Sequence, residues 1–209
     1  MSRRIVFIGP PGSGKGTQAA ALAREGFVHL SSGELLRREI EAGTAQGAVI
    51  AAIMRQGGLV PDEILYVLME HFLSQPAQRH LILDGYPRSL AQAQRLQLAG
   101  VDAAVFFEVA DEVILRRLEN RVLGADGAVY DLILRPPPAG LAYKRRLDDE
   151  PSVYLRRIHA YREREKGLRE FYAGLGLYHA LDASLHFNSV RNQLRDLLAS
   201  LAAQPTCPA

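Results

Sequence analysis

Short apolar runs alternating with helical stretches predict an α/β fold in which a parallel five-stranded sheet is flanked by helices. Three observations carry that prediction. The first is the set of runs Ile5 to Ile8, Phe27 to Leu30, Leu81 to Leu83, Ala104 to Val109 and Tyr178 to Leu181. The second is the helical period between most of them, and the third is the chemistry at the joints. Ser31 with Glu34, and Ser89 with Gln92, have capping-box spacing, so a helix starts at each. Asp111-Glu112 load the first turn of another, and Gly26 and Gly100 mark C-terminal sides. Gly43 to Met69 reads as a helical insertion broken at Gly57-Gly58-Leu59-Val60-Pro61. From Arg121 to Arg146 the helical period lapses. There Ala125-Asp126-Gly127-Ala128 offers a turn, followed by Tyr130 to Leu134 and three prolines, which predicts a projecting hairpin flap. A long helix follows from about Pro151 to Ala173, with proline in its first turn and a core stripe of Tyr161, Phe171 and Tyr172.

With 209 residues, 48% of them hydrophobic and 23% charged, the chain can bury one full core. Its formal charge is +2 with both signs interspersed, which argues against a nucleic-acid partner or a membrane-binding stripe. The lone cysteine, Cys207, falls in the tail Gln204 to Ala209, so an internal disulfide and a cysteine zinc cluster are excluded. No apolar stretch approaches a membrane span, and a cytoplasmic location is expected.

Directly behind the first apolar run stands Gly9-Pro10-Pro11-Gly12-Ser13-Gly14-Lys15-Gly16-Thr17, which meets the pattern G-x-x-x-x-G-K at Gly9, Gly14 and Lys15. Glycines let successive backbone N–H groups converge on phosphate oxygens, the new helix adds its positive end, and Lys15 adds a mobile cation. A strand, this loop and a helix in that order predict a P-loop nucleoside-triphosphate-binding fold, against the plainer reading of a turn that binds nothing. Only three of the 25 basic residues are lysines, and one sits here. The usual Ser/Thr after the lysine is Gly16, with Thr17 one place later, so a direct hydroxyl ligand for Mg²⁺ is missing.

Open α/β sheets gather ligands beyond the carboxyl ends of their strands. Ser31-Ser32-Gly33-Glu34-Leu35-Leu36-Arg37 follows the second strand and Asp84-Gly85-Tyr86-Pro87-Arg88 the third. After the fourth comes a helix expected to end at Arg121, and Arg145-Arg146-Leu147-Asp148-Asp149 closes the flap. Guanidinium forks at several angles suit a transferring phosphoryl group. Duller readings stand beside these: Asp84 as a turn residue, Gln92 as the capping partner of Ser89, and Arg116, Arg117 and Arg156 as solvated helix arginines. His71, His80 and His159 read as surface or packing residues, since no histidine has metal-ligand spacing.

Over nearly its whole length the chain resembles the adenylate kinases, ATP:AMP phosphotransferases. The residues that carry the resemblance are GPPGSGKGTQ (9–18), HLSSGELLR (29–37), GGLVPDEI (57–64), LDGYPRSLAQA (83–93) and RLDD (146–149) with Arg157 behind it. It implies a core (1–31, 62–121 and 150–209), an AMP-binding insertion (32–61) and a lid (122–149). It further implies reversible transfer from Mg·ATP to AMP giving two ADP, by a cytoplasmic monomer. ATP would be bound by Gly12, Ser13, Gly14, Lys15, Gly16, Thr17, Arg121, Val129 and Tyr130. The implied AMP site comprises Ser32, Arg37, Gly58, Leu59, Val60, Gly85, Tyr86, Pro87, Arg88, Gln92, Arg146 and Arg157. Lys15, Arg88, Arg121, Arg146 and Arg157 would act on the transferring group, and Asp84 would hold Mg²⁺ through water.

Some positions depart from the family pattern. The lid is intermediate in length and lacks the cysteines that hold zinc in some members. Asp131 stands where histidine is common, and Asn120-Arg121-Val122 replaces the frequent G-R-R, which leaves ATP and GTP both open as donors. Ser32 replaces threonine and keeps the hydroxyl, favouring AMP over pyrimidine monophosphates, while Glu34 replaces aspartate. Two rivals stay open: a kinase for another monophosphate, and a nucleotide-binding switch without transfer.

Overall fold

A computed structural model describes residues 3–74, 80–146 and 150–203, with the side chains of His71 and Ala202 excepted. Cys207, Asp148 and Asp149 lie outside the described residues. The main sheet contains β1 (Arg4–Ile8), β2 (Val28–Ser31), β3 (Leu81–Asp84), β4 (Ala103–Glu108) and a last strand, Tyr178–Asp182, which is β8 in chain order. All pair in parallel in the order β2-β3-β1-β4-β8. Every side chain of β1 is buried, as a central strand covered on both faces requires.

The period of two along the strands splits the core into two layers. Ile5, Phe7, Val105 and Phe107 face α1 (Lys15–Ala23), α6 (Asp111–Glu119) and α8 (Phe187–Ala203), meeting Leu22, Ile114 and Leu194. Val6, Ile8, Ala104 and Phe106 face the opposite way. There they meet α2 (Ser32–Glu41), α3 (Ala45–Arg55), α4 (Asp62–Leu73), α5 (Leu90–Gln97) and α7 (Pro151–Gly174). Phe106 packs 4.9 Å from Tyr178 and 6.4 Å from Tyr172. Truncating such a buried ring costs about 3–5 kcal/mol. Tyr172 is buried and Tyr161 and Phe171 pack beside it, as the stripe predicts.

Both predicted caps form: Ser31 Oγ accepts from the Glu34 N–H at 3.4 Å, and Ser89 Oγ from the Gln92 N–H at 3.2 Å. Each cap is worth roughly 1 kcal/mol. The insertion breaks at Gly57 to Pro61, as expected, and Pro61 stands at the N-cap position of α4. Helix α7 is anchored by Arg162, which donates to Asp111 Oδ1 at 2.7 Å and to the Val109 carbonyl at 2.8 Å. Arg169 adds ion pairs to Glu165 and Glu108 at 2.6 and 2.8 Å. His80 stacks on Phe27 and accepts from the Arg3 N–H at 3.2 Å, while His159 is exposed.

The predicted flap is a three-stranded antiparallel sheet, β6-β5-β7, of β5 (Arg121–Gly124), β6 (Val129–Asp131) and β7 (Tyr143–Lys144). The Asp-Gly turn forms, with the Gly124 N–H donating to the Ala128 carbonyl at 2.9 Å and Gly127 at φ +78°. One helix end differs from expectation. Helix α6 stops at Glu119, and Arg121 opens β5 instead of ending the helix. Strand β6 ends at Asp131, whose carboxylate accepts from the Ile133 and Leu134 N–H groups at 2.9 and 2.8 Å and turns the chain.

Candidate active site

The carboxyl ends of β1 and β3 lie side by side, because Phe7 pairs with Asp84 in the register. The loop after β1 therefore meets the segment after β3. Gly14, at φ 91°, caps α1, whose first residue is Lys15. The Lys15 ammonium donates to the carbonyls of Gly9 (2.6 Å) and Pro10 (2.8 Å) and to Ser13 Oγ (3.1 Å). Burial pushes its pKa down to about 8; Asp84 opposes that shift, and Arg88, Arg157 and Arg121 add to it. Ser13 is buried, and Gly12, Gly16 and Thr17 are half-buried around it.

Burial alone would raise the Asp84 carboxyl, but His29, Lys15 and Arg88 outweigh it and hold the group below its ordinary value. His29 Nε2 stands 3.4 Å from Asp84 Oδ2. A Cβ at Gly16 would lie 3.0 Å from the same oxygen. The missing Ser/Thr and the carboxylate are thus one feature: the residue after the lysine has no side chain, and Asp84 occupies that space.

Beyond Asp84 the backbone turns through Gly85 at φ +76°, a conformation for which glycine is the default residue. A Cβ there would also sit 2.8 Å from Ser32 Oγ. The Gly85 carbonyl accepts from Ser32 Oγ (2.7 Å) and from Arg88 Nε (2.6 Å), and Arg88 Nη2 donates to Ser32 Oγ at 3.3 Å. Tyr86 is buried, and its bond to Pro87 is cis. Arg88 and Arg157 then line a narrow cleft with Arg37, Gly33, Leu36, Met54, Gly58 and Val60, and Leu59 lies half-buried between the last two. Its volume is about 30 Å³. A larger groove of about 480 Å³ between β8 and α8 is lined by Tyr178, His179, Leu181, Gln193, Asp196 and Leu197, with neither lysine nor arginine.

Three separated arginines, Arg37, Arg88 and Arg157, therefore share one cleft, and Arg88, Arg157 and Arg121 act electrostatically on Lys15. Arg146 is half-buried just past β7. Val129 and Tyr130 are engaged within the flap: the Val129 carbonyl accepts from Arg135 at 2.6 Å, and the Tyr130 hydroxyl donates to Asp126 at 2.6 Å.

Sequence reasoning missed the contacts of four residues. His29 and Ser31 share a face of β2, and Ser31 pairs with Asp84, so the strand period was a signal for His29. Gln92 does more than follow Ser89: its Oε1 accepts from the Arg88 N–H at 2.7 Å, and its Nε2 donates to Asp62. Arg156 is exposed, as a solvated arginine would be, yet its Nε donates to the Gln56 carbonyl at 2.8 Å. Arg117 reaches the Ser184 carbonyl at 3.2 Å, while Arg116 stays on its own helix.

The sequence model of the family described as "Adenylate kinase" matches residues 7–176. The adenylate kinase of Thermosipho melanesiensis is 34% identical over 211 residues, covering 93% of this chain and 98% of that protein. That of Petrotoga mobilis is 36% identical over 216 residues, covering 96% of this chain and all of the relative. A yeast relative, the adenylate kinase of Vanderwaltozyma polyspora, is 36% identical over 200 residues, covering 88% and 90%.

Proposed function

Since the chain belongs to the adenylate kinase family, we propose that its two nucleotides meet where the Lys15 loop adjoins the Arg37–Arg88–Arg157 cleft. It is a phosphotransferase that moves a phosphoryl group reversibly from ATP to AMP, giving two ADP. One observation carries the assignment of the site: Arg88 and Arg157 belong to both places, lining the cleft and acting on Lys15. Two guanidiniums placed between a triphosphate site and a monophosphate site can follow negative charge as it passes from donor to acceptor.

In this reading the loop amides of Gly12, Ser13, Gly14, Gly16 and Thr17 and the Lys15 ammonium hold the triphosphate. Arg121, Val129 and Tyr130 bring the lid to the donor. AMP takes Ser32, Arg37, the backbone of Gly58 to Val60 and of Gly85 to Pro87, Arg88 and Gln92, and Arg146 and Arg157 close on the transferring group. The AMP phosphate is largely ionised near neutral pH, its second pKa being about 6, so no strong general base is needed. Transfer is direct and in line, and the chain contributes position, charge and exclusion of water.

A hydrated Mg²⁺ fits the site, because Asp84 is nearly buried, is held ionised, and occupies the space beside Gly16. Asp84 would hold it through water, as suits a cation that keeps several of its own waters. When bound, the ion neutralises charge on the donor's phosphate oxygens. We assign 32–61 as the acceptor insertion and 122–149 as the lid of a cytoplasmic monomer. No helix among the described residues is long and apolar enough to cross a membrane.

A coupled assay across four nucleoside monophosphates with ATP and GTP tests this reading. AMP with ATP gives the highest kcat/KM. Tight binding of one nucleotide without ADP formation would instead identify a switch.

A further inference from the structure

We propose that Asp62 sets the choice of base at the acceptor site, by holding the Gln92 amide in one orientation. The inference rests on the reading of the Arg37–Arg88–Arg157 cleft as the monophosphate site. Gln92 is only 4% exposed, and both ends of its amide are engaged. Oε1 accepts from the Arg88 backbone N–H at 2.7 Å, and Nε2 donates to Asp62 Oδ1 at 2.5 Å. The two ends of an amide are nearly alike in shape, so its orientation is decided by its partners. Here the partners leave one answer. A backbone N–H can only donate and a carboxylate can only accept, so a flipped amide would set oxygen against oxygen and N–H against N–H.

The placement of these groups gives the orientation a use. Asp62 opens α4 two residues after Val60, and Val60 lines the cleft together with Arg88. Gln92 is thus clamped between two segments that form the cleft wall. Once its two bonds are made, one acceptor direction remains on Oε1 and one N–H on Nε2. Adenine offers the complement, an amino donor at N6 beside the acceptor N1. A 6-oxopurine offers the reverse, O6 beside N1–H, and would need the flipped amide that the Asp62 carboxylate forbids. Asp62 is exposed, so its plainer role is to place a negative charge in the first turn of α4, which Glu63 shares.

The test compares the full-length protein with Asp62→Asn and Glu63→Gln, assayed with ATP and either AMP or IMP, alongside thermal midpoints. An asparagine at 62 can turn to donate, which removes one of the two like-against-like contacts. The expected result for Asp62→Asn is a rise in KM for AMP with KM for ATP unchanged. The IMP-to-AMP ratio of kcat/KM should climb about tenfold, the change that one hydrogen bond's net contribution makes to an equilibrium. Glu63→Gln should leave that ratio where it is. An unchanged ratio in Asp62→Asn, or an equal change in Glu63→Gln, overturns the proposal and leaves the kinase reading intact. A wild-type protein that fails to phosphorylate AMP removes the kinase reading itself, and the proposal with it.

Discussion

The cleft beside β3 and the flap after α6 hold their polar side chains in different ways. At the cleft, Ser32 donates to the Gly85 carbonyl and Arg88 to Ser32 Oγ, which ties α2 to the segment after β3, while Arg88 Nε also reaches Gly85 within its own segment. In the flap, Tyr130 binds Asp126, Asp131 binds the next turn, and Arg135 binds Val129, all within a few residues. Arg145 alone among these reaches back, to the Glu119 carbonyl at 2.9 Å. Positions in the first region are set by the sheet framework. The second region is held mostly by its own residues, which is what the lid proposed for it requires.

The widest separation between the two should come from Arg88→Ala. Turnover is expected to fall about a thousandfold, the scale of removing a preorganised charge donor, while the thermal midpoint barely moves because Ser32 still binds the Gly85 carbonyl. A large loss of stability with normal turnover in the folded fraction would contradict the assigned role.

Next in size is a pH effect on the donor side. In the proposed donor site Lys15 would bind phosphate as the ammonium, and its pKa of about 8 lies below the ordinary 10.5. Above pH 8 the ammonium fraction falls tenfold per unit, so kcat/KM for ATP should decline with a slope approaching −1, and kcat/KM profiles from pH 7 to 10 would show it. The sign for folding is opposite. Below pH 8 the lysine carries its proton in both folded and unfolded chains and the burial penalty is at its full value; between 8 and 10.5 the folded chain has shed the proton and that penalty fades.

Gly16→Ala should cost roughly tenfold in kcat/KM for Mg·ATP, because the new Cβ would crowd Asp84 Oδ2 at 3.0 Å, while KM for AMP stays unchanged. Full activity of that variant, measured with saturating AMP, would separate Asp84 from the donor site. The smallest effect belongs to the flap: Tyr130→Phe loses an exposed bond to Asp126 and should lower stability by less than about 1 kcal/mol in a denaturant titration.

What could be read in advance follows the same division. Lys15, the caps at Ser31 and Ser89 and the five strands were legible because each is announced by neighbours in the chain. The arginines could be named one at a time, but that Arg37, Arg88 and Arg157 share a wall depends on how α2, β3 and α7 pack. Partners 30 residues apart, such as Asp62 and Gln92, leave no periodic trace. The end of α6 was misplaced at Arg121, because the pairing of Arg121 with Asp131 that opens β5 depends on the flap folding back and leaves no mark in the helical stretch before it.

The tie from Arg156 to residue 56 has an evolutionary corollary. Its acceptor is main chain, so any amino acid that tolerates the end of α3 supplies the same oxygen, and position 56 is free to drift while 156 must retain a long donor. Mutational scanning would therefore find one side of this contact permissive and the other restrictive.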